Sequence, residues 1–272
     1  MSGARRAPRR LESLLARALY AVIERDVRKM LRQRGRLLAA LARSLLWLLV
    51  IGAGFGALQR GSGAAGYQAF LVPGVLGMTL LFGAVLAALS TVYDKESGFM
   101  RMLIIAPLPH AWIVLAKTLG AAVVALIQAA MLLVVLALLG WLDRGISFGE
   151  LLCGLAGTAL ACASLGSLIA AWSGTLENFA GMMNFVLFPV FFLSGSLYPV
   201  ERLPPALNLV ATLNPFTHGV DLLRHALHAG PAFSVGTDCG VLCGFTLIAV
   251  TVSALRFSGA AAGEPRVRRL AQ

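Results

Sequence analysis

Residues Val92–Lys117 read VYDKESGFMRMLIIAPLPHAWIVLAK and separate two long apolar runs. Four charged residues lie close together in this stretch, and they are Asp94, Lys95, Glu96 and Arg101. Because charged side chains are costly to place in lipid hydrocarbon, we predict that the stretch lies in water. The apolar residues around Arg101 give it a second, apolar face. We therefore interpret it as a short helix at the membrane surface that docks onto a partner protein.

The composition of the 272-residue chain is typical of a membrane protein. Charged residues make up 13% of the chain, against about 25% in soluble domains, and the mean hydropathy is +0.82. Several apolar runs reach the ~20 residues that are needed to cross a bilayer. Because open sheet edges are not tolerated in lipid, the predicted fold class is an all-α polytopic membrane protein.

Six apolar runs are predicted to span the membrane, within one domain that covers residues 37–257. They are Leu37–Leu58, Gln68–Val92, Ile113–Trp141, Glu150–Trp172, Phe179–Leu197 and Ser234–Arg256. The fifth should be broken at Pro189, since proline removes a helix hydrogen bond. Residues 1–36 form a predicted arm with an amphipathic helix over Leu11–Arg36, whose apolar residues recur every three or four positions, as in helices of the membrane interface. Residues 258–272 form a predicted tail.

Basic residues are distributed unevenly between the two sides of these spans. The chain has 23 Lys and Arg against 12 Asp and Glu, and a basic block precedes the first span. With six spans, the side without the termini holds only Arg60, Arg144, Arg202 and Arg224. Because cytoplasmic loops are enriched in Lys and Arg, both termini and the Val92–Lys117 stretch are predicted to be cytoplasmic. The basic block is predicted to bind anionic membrane lipids and not nucleic acid.

The segment Tyr198–Ala232, between the fifth and sixth predicted spans, is too polar to span and too apolar for an ordinary loop. Prolines divide it, so we predict a pair of short re-entrant helices that dip into the outer leaflet. Asp221 and Arg224 are predicted to pair on one helix face, either as a local ion pair or as a gate that closes the outer mouth. His225 and His228 share a face, but no metal site is predicted because Asp221, the only carboxylate nearby, is already paired.

Two blocks of the sequence carry a family resemblance. The first joins Glu96-Ser97-Gly98, Arg101, Leu103, Ala106-Pro107-Leu108-Pro109 and Lys117. The second joins Phe188-Pro189, Ser194-Gly195, Tyr198-Pro199, Leu203-Pro204, Asn214-Pro215, Asp221 and Arg224. Together with the six-span layout, they resemble ABC-2 type exporter permeases over nearly the whole chain, in the branch of polysaccharide, nodulation-factor and drug exporters. The chain departs from that pattern at Phe99, where a small hydroxyl residue is usual, and at His218, where an aromatic residue is common.

The resemblance implies the transmembrane permease subunit of an ATP-driven exporter in a bacterial inner membrane. Two permease copies, expected to be a homodimer, would join two ATP-binding subunits that hold ATP and Mg, while this chain would bind no cofactor and carry no catalytic residue. The cargo would be a lipid-linked, polysaccharide or amphipathic drug-like molecule leaving the cytoplasm or the inner leaflet. The absence of a G-x-x-x-x-G-K-[ST] motif agrees with ATP hydrolysis on another chain.

Within this resemblance, the residues that would couple the permease to the ATPase are Glu96, Ser97, Gly98, Arg101, Leu103 and Pro107. Glu96–Ile105 would form the coupling helix, with Glu96 at its start, where a negative charge suits the helix dipole. The candidates for an outer re-entrant or gate segment are Pro199, Asn214, Pro215, Asp221 and Arg224. Gln128 and Asn184, the main polar side chains predicted at depth, either line the transport route or form hydrogen bonds between helices.

Two other functions compete with export. An intramembrane serine hydrolase would use Ser194 or Ser196 as its nucleophile and His218 as the base, which requires the pair to lie within hydrogen-bond reach. A membrane assembly scaffold would need no transport route at all. A neighbouring gene for an ATPase would speak against the scaffold.

Overall fold

The computed structural model of the chain describes residues 6–58, 64–99, 109–142 and 145–268. Within these residues every regular element is helical, with nine α-helices and one 3-10 turn at Val200–Arg202. The α-helices are α1 (Arg6–Arg32), α2 (Arg34–Leu58), α3 (Ala64–Glu96), α4 (His110–Leu138), α5 (Phe148–Trp172), α6 (Leu176–Phe192), α7 (Pro205–Leu213), α8 (Pro215–Ala226) and α9 (Val235–Arg268). The predicted all-α class is confirmed for the described part of the chain.

Four of the described helices are long and apolar enough to cross a bilayer, and they cover Phe70–Glu96, Ala111–Leu138, Phe148–Trp172 and Val235–Ser258. A fifth candidate reaches the same length and hydropathy only if two helices that are bent by 72° are counted as one span. They cover Leu19–Arg32 and Leu37–Gly52. The apolar helix α6 has 17 residues, or about 25 Å, which is less than the ~30 Å hydrocarbon core. The chain is therefore a multi-pass membrane protein with four to five candidate spans among the described residues, and six spans remain a prediction.

The amphipathic helix of the N-terminal arm is α1, which ends at Arg32 and not at Arg36 as predicted. Its apolar face packs on α4 and on the start of α2, where Met30, Leu37 and Val124 form a small buried cluster. Among the side chains that the structure describes on α1, the exposed basic residues are Arg17, Arg28, Lys29 and Arg32. The helix therefore lies along the bundle and covers part of it.

Among the candidate spans α3 is the most buried, and it packs against α2, α4, α5, α6 and α8. Every residue from Leu71 to Leu81 is buried. A Cβ atom on Gly74 would lie 2.1 Å from the Ser196 carbonyl oxygen, and one on Gly166 of α5 would lie 2.9 Å from the Ala88 Cβ. Small residues therefore set the distance between α3 and its neighbours, as is common where helices pack in membranes.

The predicted break of the fifth span at Pro189 is wrong by three residues, because α6 continues to Phe192. The Pro189 carbonyl accepts a hydrogen bond from the Leu193 N–H at 3.0 Å, which completes the last turn. The chain then turns through Gly195, which has a φ of 71°. A left-handed backbone of this kind favours glycine. The turn at Gly195 therefore ends the helical segment, which does not reach Leu197 as predicted.

The predicted pair of short helices between the fifth and sixth spans is present as α7 and α8. Asn214 joins them, because its Oδ1 accepts a hydrogen bond from the Phe216 N–H at 3.1 Å and its Nδ2 donates to the Val190 carbonyl at 2.7 Å. Pro215 occupies the first turn of α8, where a missing N–H costs nothing. All residues from Phe216 to Arg224 are buried, against α5, α9 and α3. The helix α8 is therefore part of the packed bundle.

Candidate functional site

Two groups of charged side chains occupy opposite ends of the bundle. The Glu96 end is the end at which α3 finishes, and the Gly195 end is the one that contains the turn after α6. We name the first group the Asp94 cluster, and its members are Arg25, Asp26, Asp94 and Lys117. We name the second group the Asp221 cluster, and its members are His218, Asp221, Arg224, His225 and Asp238.

The Asp94 cluster joins the last turn of α3 to α1 and α4. The Oδ2 atom of Asp94 accepts hydrogen bonds from Arg25 Nη2 and from Lys117 Nζ, both at 2.5 Å. Asp26 adds a second carboxylate, 3.4 Å from Lys117 Nζ and 3.3 Å from Arg25 Nη2. Two acids thus meet two bases, and Asp26, Asp94 and Lys117 are buried. Buried charges need such pairing, because an unpaired one retains its full desolvation cost.

Lys95, the next residue, joins the same turn to α5 and α9. Its Nζ donates to three carbonyl oxygens at the C-terminal end of α5, which belong to Ala170 (2.6 Å), Ala171 (3.3 Å) and Ser173 (3.2 Å). A cation is stabilised at a helix C-terminus by the unpaired carbonyls and the helix dipole. The same Nζ lies 4.4 Å from the centroid of the Phe257 ring of α9. Two adjacent residues of opposite charge therefore attach the end of α3 to four other helices.

These contacts correct the expectation that Asp94 and Lys95 lie in water. Asp94 is 5% exposed, and Lys95 is half-buried. The charges are tolerated because ionic partners or helix-end carbonyls replace the water. Sequence reasoning missed this role, although Lys117 stood within the same quoted stretch.

The placement of Glu96 is also corrected. It is the last residue of α3 and not the first residue of a following helix, since Ser97 and Gly98 form a turn after it. Gly98 has a φ of 75°, and its N–H donates to the Lys95 carbonyl at 3.2 Å, as at many helix C-termini. Glu96 is exposed, so its carboxylate is free for a contact outside the bundle and gains nothing from the dipole of α3. The other predicted coupling residues, Arg101, Leu103 and Pro107, lie outside the described residues.

Phe99, which departs from the family pattern, contacts α1. The Arg25 guanidinium lies 4.8 Å from the centroid of the Phe99 ring, within the range of a cation–π contact. Arg25 therefore touches both Asp94 and Phe99, on either side of the Ser97-Gly98 turn. The start of the chain beyond α3 is held against α1 by the same side chain.

At the Gly195 end, the predicted ion pair of Asp221 and Arg224 is confirmed, and both side chains are buried. Arg224 Nη1 lies 3.8 Å from Asp221 Oδ1, and Arg224 Nη2 donates to the Gly195 carbonyl at 2.6 Å. The Asp221 carboxylate accepts from the N–H groups of Ala232 (2.9 Å) and Phe233 (2.8 Å). The pair therefore connects α8 to the turn after α6 and to the segment before α9.

His218 completes this connection through Asp238, a residue of α9 that sequence reasoning did not select. His218 Nδ1 lies 2.8 Å from Asp238 Oδ1, and Nε2 lies 2.9 Å from the Thr212 carbonyl. The Thr212 carbonyl can only accept, and an ionised Asp238 accepts as well, so the two contacts suit a ring that is protonated on both nitrogens. Burial opposes this charge, but the hydrogen bonds to Asp238 and Thr212 outweigh it and raise the pKa of His218.

The Asp221 cluster brings together Asp221, His225 and Asp238, whose ligand atoms lie within 4.8 Å of one another. Asp221 already accepts two backbone N–H groups, and His225 Nε2 lies 2.9 Å from the Phe233 carbonyl, to which it must donate. A metal ligand needs a free lone pair on that nitrogen. His228 lies beyond the end of α8 with a φ of 53°, and it is exposed. Asp221 and His225 therefore serve hydrogen bonds within the protein.

The remaining predicted residues occupy different surroundings. Gln128 is buried, and its Nε2 lies 4.0 Å from Met30 Sδ on α1, so it contacts a neighbouring helix. Asn184 is exposed on α6 and not buried within the chain. Pro199 precedes the 3-10 turn. Polar residues of the predicted route thus lie on different faces of the bundle.

The serine hydrolase geometry is not formed. The Oγ atoms of Ser194 and Ser196 lie 2.6 Å apart, and Ser194 Oγ also donates to the Phe191 carbonyl. Both ring nitrogens of His218 contact Asp238 and Thr212, so neither is free to accept a proton from a serine. The nucleophile and the base of the alternative prediction therefore do not meet.

Comparison with known proteins identifies the family of the chain. Residues 17–228 match the family model described as ABC-2 type transporter. The chain belongs to the ABC-2 type transporter family. This ABC-2 permease is 30% identical to nodulation protein J of Rhizobium leguminosarum bv. trifolii over 214 residues, or 78% of this chain and 81% of that protein.

Two further relatives have similar coverage. Nodulation protein J of Rhizobium meliloti (strain 1021) is 29% identical over 217 residues, or 78% of the ABC-2 permease and 81% of that protein. The putative transport permease ycf38 of Pyropia yezoensis is 28% identical over 221 residues, or 78% of this chain and 74% of that protein. The family match includes the whole Asp94 cluster and ends before Asp238.

Proposed function

We propose that this ABC-2 permease is the transmembrane subunit of an ATP-driven exporter. The observation that carries the proposal is the attachment of the end of α3 to four helices by Asp94 and Lys95, next to the family-like residues Glu96-Ser97-Gly98. A push on the segment after Gly98 would reach α1 and α4 through ion pairs, α5 through hydrogen bonds and α9 through a cation–π contact. This is what a membrane subunit needs if a separate subunit hydrolyses ATP.

The proposed partners are an ATP-binding subunit, which holds ATP and Mg, and a second copy of this chain. The face of α6 supports the second copy, because it turns large aromatic residues and Asn184 outward from the single chain. Phe185 is 82% exposed and Phe188 is 52% exposed. Two such faces opposite each other would enclose an amphipathic route along the dimer axis. We propose homodimerisation through this face.

The proposed cargo is a lipid-linked, polysaccharide or amphipathic drug-like molecule. The similarity to nodulation protein J and to a putative transport permease supports a transport role. The proposed direction is outward across a bacterial inner membrane, with both termini and the Glu96 end in the cytoplasm. The excess of basic residues before the first span supports that orientation.

Charge reversal at the docking segment tests the proposal. We expect Glu96→Lys and Arg101→Glu each to weaken capture of the ATP-binding subunit by about ten- to a hundredfold, since a charge-assisted contact contributes about 1.5–3 kcal/mol. The measurement is the amount of ATPase that co-purifies with the tagged permease, followed by the ATPase rate of the complex in lipid. Neither readout requires a known cargo.

Glu201→Lys is the matched control, because Glu201 is also exposed but lies on the 3-10 turn at the opposite end of the bundle. It should leave both readouts unchanged. Normal capture and normal ATPase rate in both docking variants would refute the coupling role. An equal loss in the control would show that any added charge disturbs the complex.

A further inference from the structure

A cavity of about 360 Å³ lies between α1, α3 and α4, beside the Asp94 cluster. Its polar lining consists mainly of Asp26, Lys29, Gln33 and Tyr93. Its other walls are apolar and include Ala87, Val124 and Leu176. The cavity thus has one charged side and one side that suits hydrocarbon, and the proposed coupling does not use it.

Lys29 supplies the charge at the mouth of this cavity. Its Nζ lies 4.6 Å from the centroid of the Tyr93 ring, and no carboxylate among the described residues pairs with it. Asp26, the acid of the lining, is paired with Lys117 and Arg25. An anion that entered the mouth would therefore meet an available ammonium group and not a competing carboxylate.

The depth of the cavity matches the headgroup boundary of a bilayer. Val124 follows Lys117 by seven residues on α4, which is about 10 Å along the helix axis. The exposed Tyr93 ring stands at the mouth, in the position that aromatic residues favour at a membrane interface. The charged end of a bound molecule would then lie at the surface and its chain below it.

We propose that this cavity binds an anionic phospholipid of the inner leaflet, with its phosphate at Lys29 and an acyl chain against Ala87 and Val124. The assignment to the inner leaflet rests on the orientation given under the proposed function. A lysine binds phosphate as a point charge, and a basic residue near an anionic membrane surface contributes about 1 kcal/mol. The molecule would fill the space between α1 and the bundle, next to the Asp94 cluster.

Native mass spectrometry of the full chain in detergent tests this site, with phosphatidylglycerol, phosphatidylcholine and inorganic phosphate as separate probes. We expect the wild type to retain phosphatidylglycerol in preference to phosphatidylcholine, and Lys29→Gln to reduce that retention about fivefold. Lys29→Arg should keep it. Arg32→Gln is the matched control, because Arg32 belongs to the same basic helix but does not line the cavity.

A second variant tests the chain-binding side without touching the charge. Ala87→Phe places a ring in the cavity, so phosphatidylglycerol retention should fall while Lys29 is intact, and size-exclusion chromatography checks that the variant is folded. Equal losses in Lys29→Gln and Arg32→Gln, equal retention of the two lipids, or displacement of the lipid by inorganic phosphate would each overturn the proposal. This experiment measures lipid binding alone, so a negative result would leave the ATPase-capture experiment unaffected. A negative result in ATPase capture would likewise leave the lipid-binding experiment unaffected.

Discussion

Asp94 accepts hydrogen bonds from two helices that are distant in sequence, Arg25 on α1 and Lys117 on α4. Lys117 is 4% exposed, so its ammonium group depends on the two carboxylates beside it. Of these, Asp94 is the nearer at 2.5 Å, against 3.4 Å for Asp26. Of these two carboxylates, Asp94 is therefore the one whose replacement should destabilise the Glu96 end more.

We expect Asp94→Asn to destabilise the protein by about 3–5 kcal/mol, because it leaves a buried ammonium group with a single distant carboxylate. The measurement is denaturant unfolding of the purified chain in detergent. Asp94→Asn combined with Lys117→Met should regain most of the loss, since the pair is then replaced by uncharged groups.

Glu24→Gln provides the control for this experiment. Glu24 pairs with Arg28 on the outer face of α1, and such surface pairs contribute about 0.5 kcal/mol. If Asp94→Asn cost no more than Glu24→Gln, the Asp94 cluster would not hold the three helices together.

Among the elements, α8 shows how a short helix becomes part of the core. Its polar and charged side chains contact neighbours on three sides, which are Gly195 after α6, Ala232 and Phe233 before α9, and Asp238 within α9. This arrangement explains how Arg224 and Asp221 can be buried in a helix of 12 residues. The connection of α8 to α9 depends most directly on His218.

The protonation of His218 should make this connection dependent on pH. The pKa of His218 is raised above its ordinary value of about 6.5. A raised pKa means that the native state binds the proton more tightly, so the added stability is complete below about 6.5 and is lost as the pH rises through the native pKa. We expect the melting temperature in detergent to fall over that range.

His218→Gln should remove most of this dependence, because glutamine carries no titrating ring. The matched control is His228→Gln, since His228 is exposed beyond the end of α8. It should leave the pH profile unchanged. A wild-type profile that is flat across the transition, or one that persists in His218→Gln, would refute the imidazolium assignment.

At the scale of the whole molecule, the two charged clusters lie at opposite ends, which gives an orientation that labelling can test. Glu96 and Glu201 are both exposed and belong to different ends. In a background with serine in place of the four native cysteines, we expect Glu201→Cys to react with an impermeant maleimide in spheroplasts. Glu96→Cys should react only after the membrane is opened. The opposite pattern would reverse the proposed orientation and exclude coupling to a cytoplasmic ATPase.

The helical segments could be located from sequence because hydropathy and charge are local properties of a short window. Each predicted span coincides with a helix, and the short pair around Asn214 was indicated by its prolines. The sequence located the helix ends less accurately than the helices themselves. The Ser97-Gly98 pair, with glycine in a left-handed conformation, is a C-terminal signal that would have placed Glu96 at the end of α3.

The contacts that join different helices in the two charged clusters could not be found in this way, because those partners are far apart in the chain. Asp94 is 69 residues from Arg25 and 23 from Lys117, and His218 is 20 residues from Asp238. No periodicity connects such positions, and their partners are decided only when the helices pack.

The sequence by itself therefore determined that this chain is helical, membrane-embedded and related to ABC-2 permeases, since these properties follow from composition and from motifs along single segments. Only the tertiary structure decided which charges are buried. Packing removes water from Asp94, Lys117 and His218 and supplies their partners from other helices. A linear pattern does not contain that information, because the cost of burying a charge depends on what lies beside it in space.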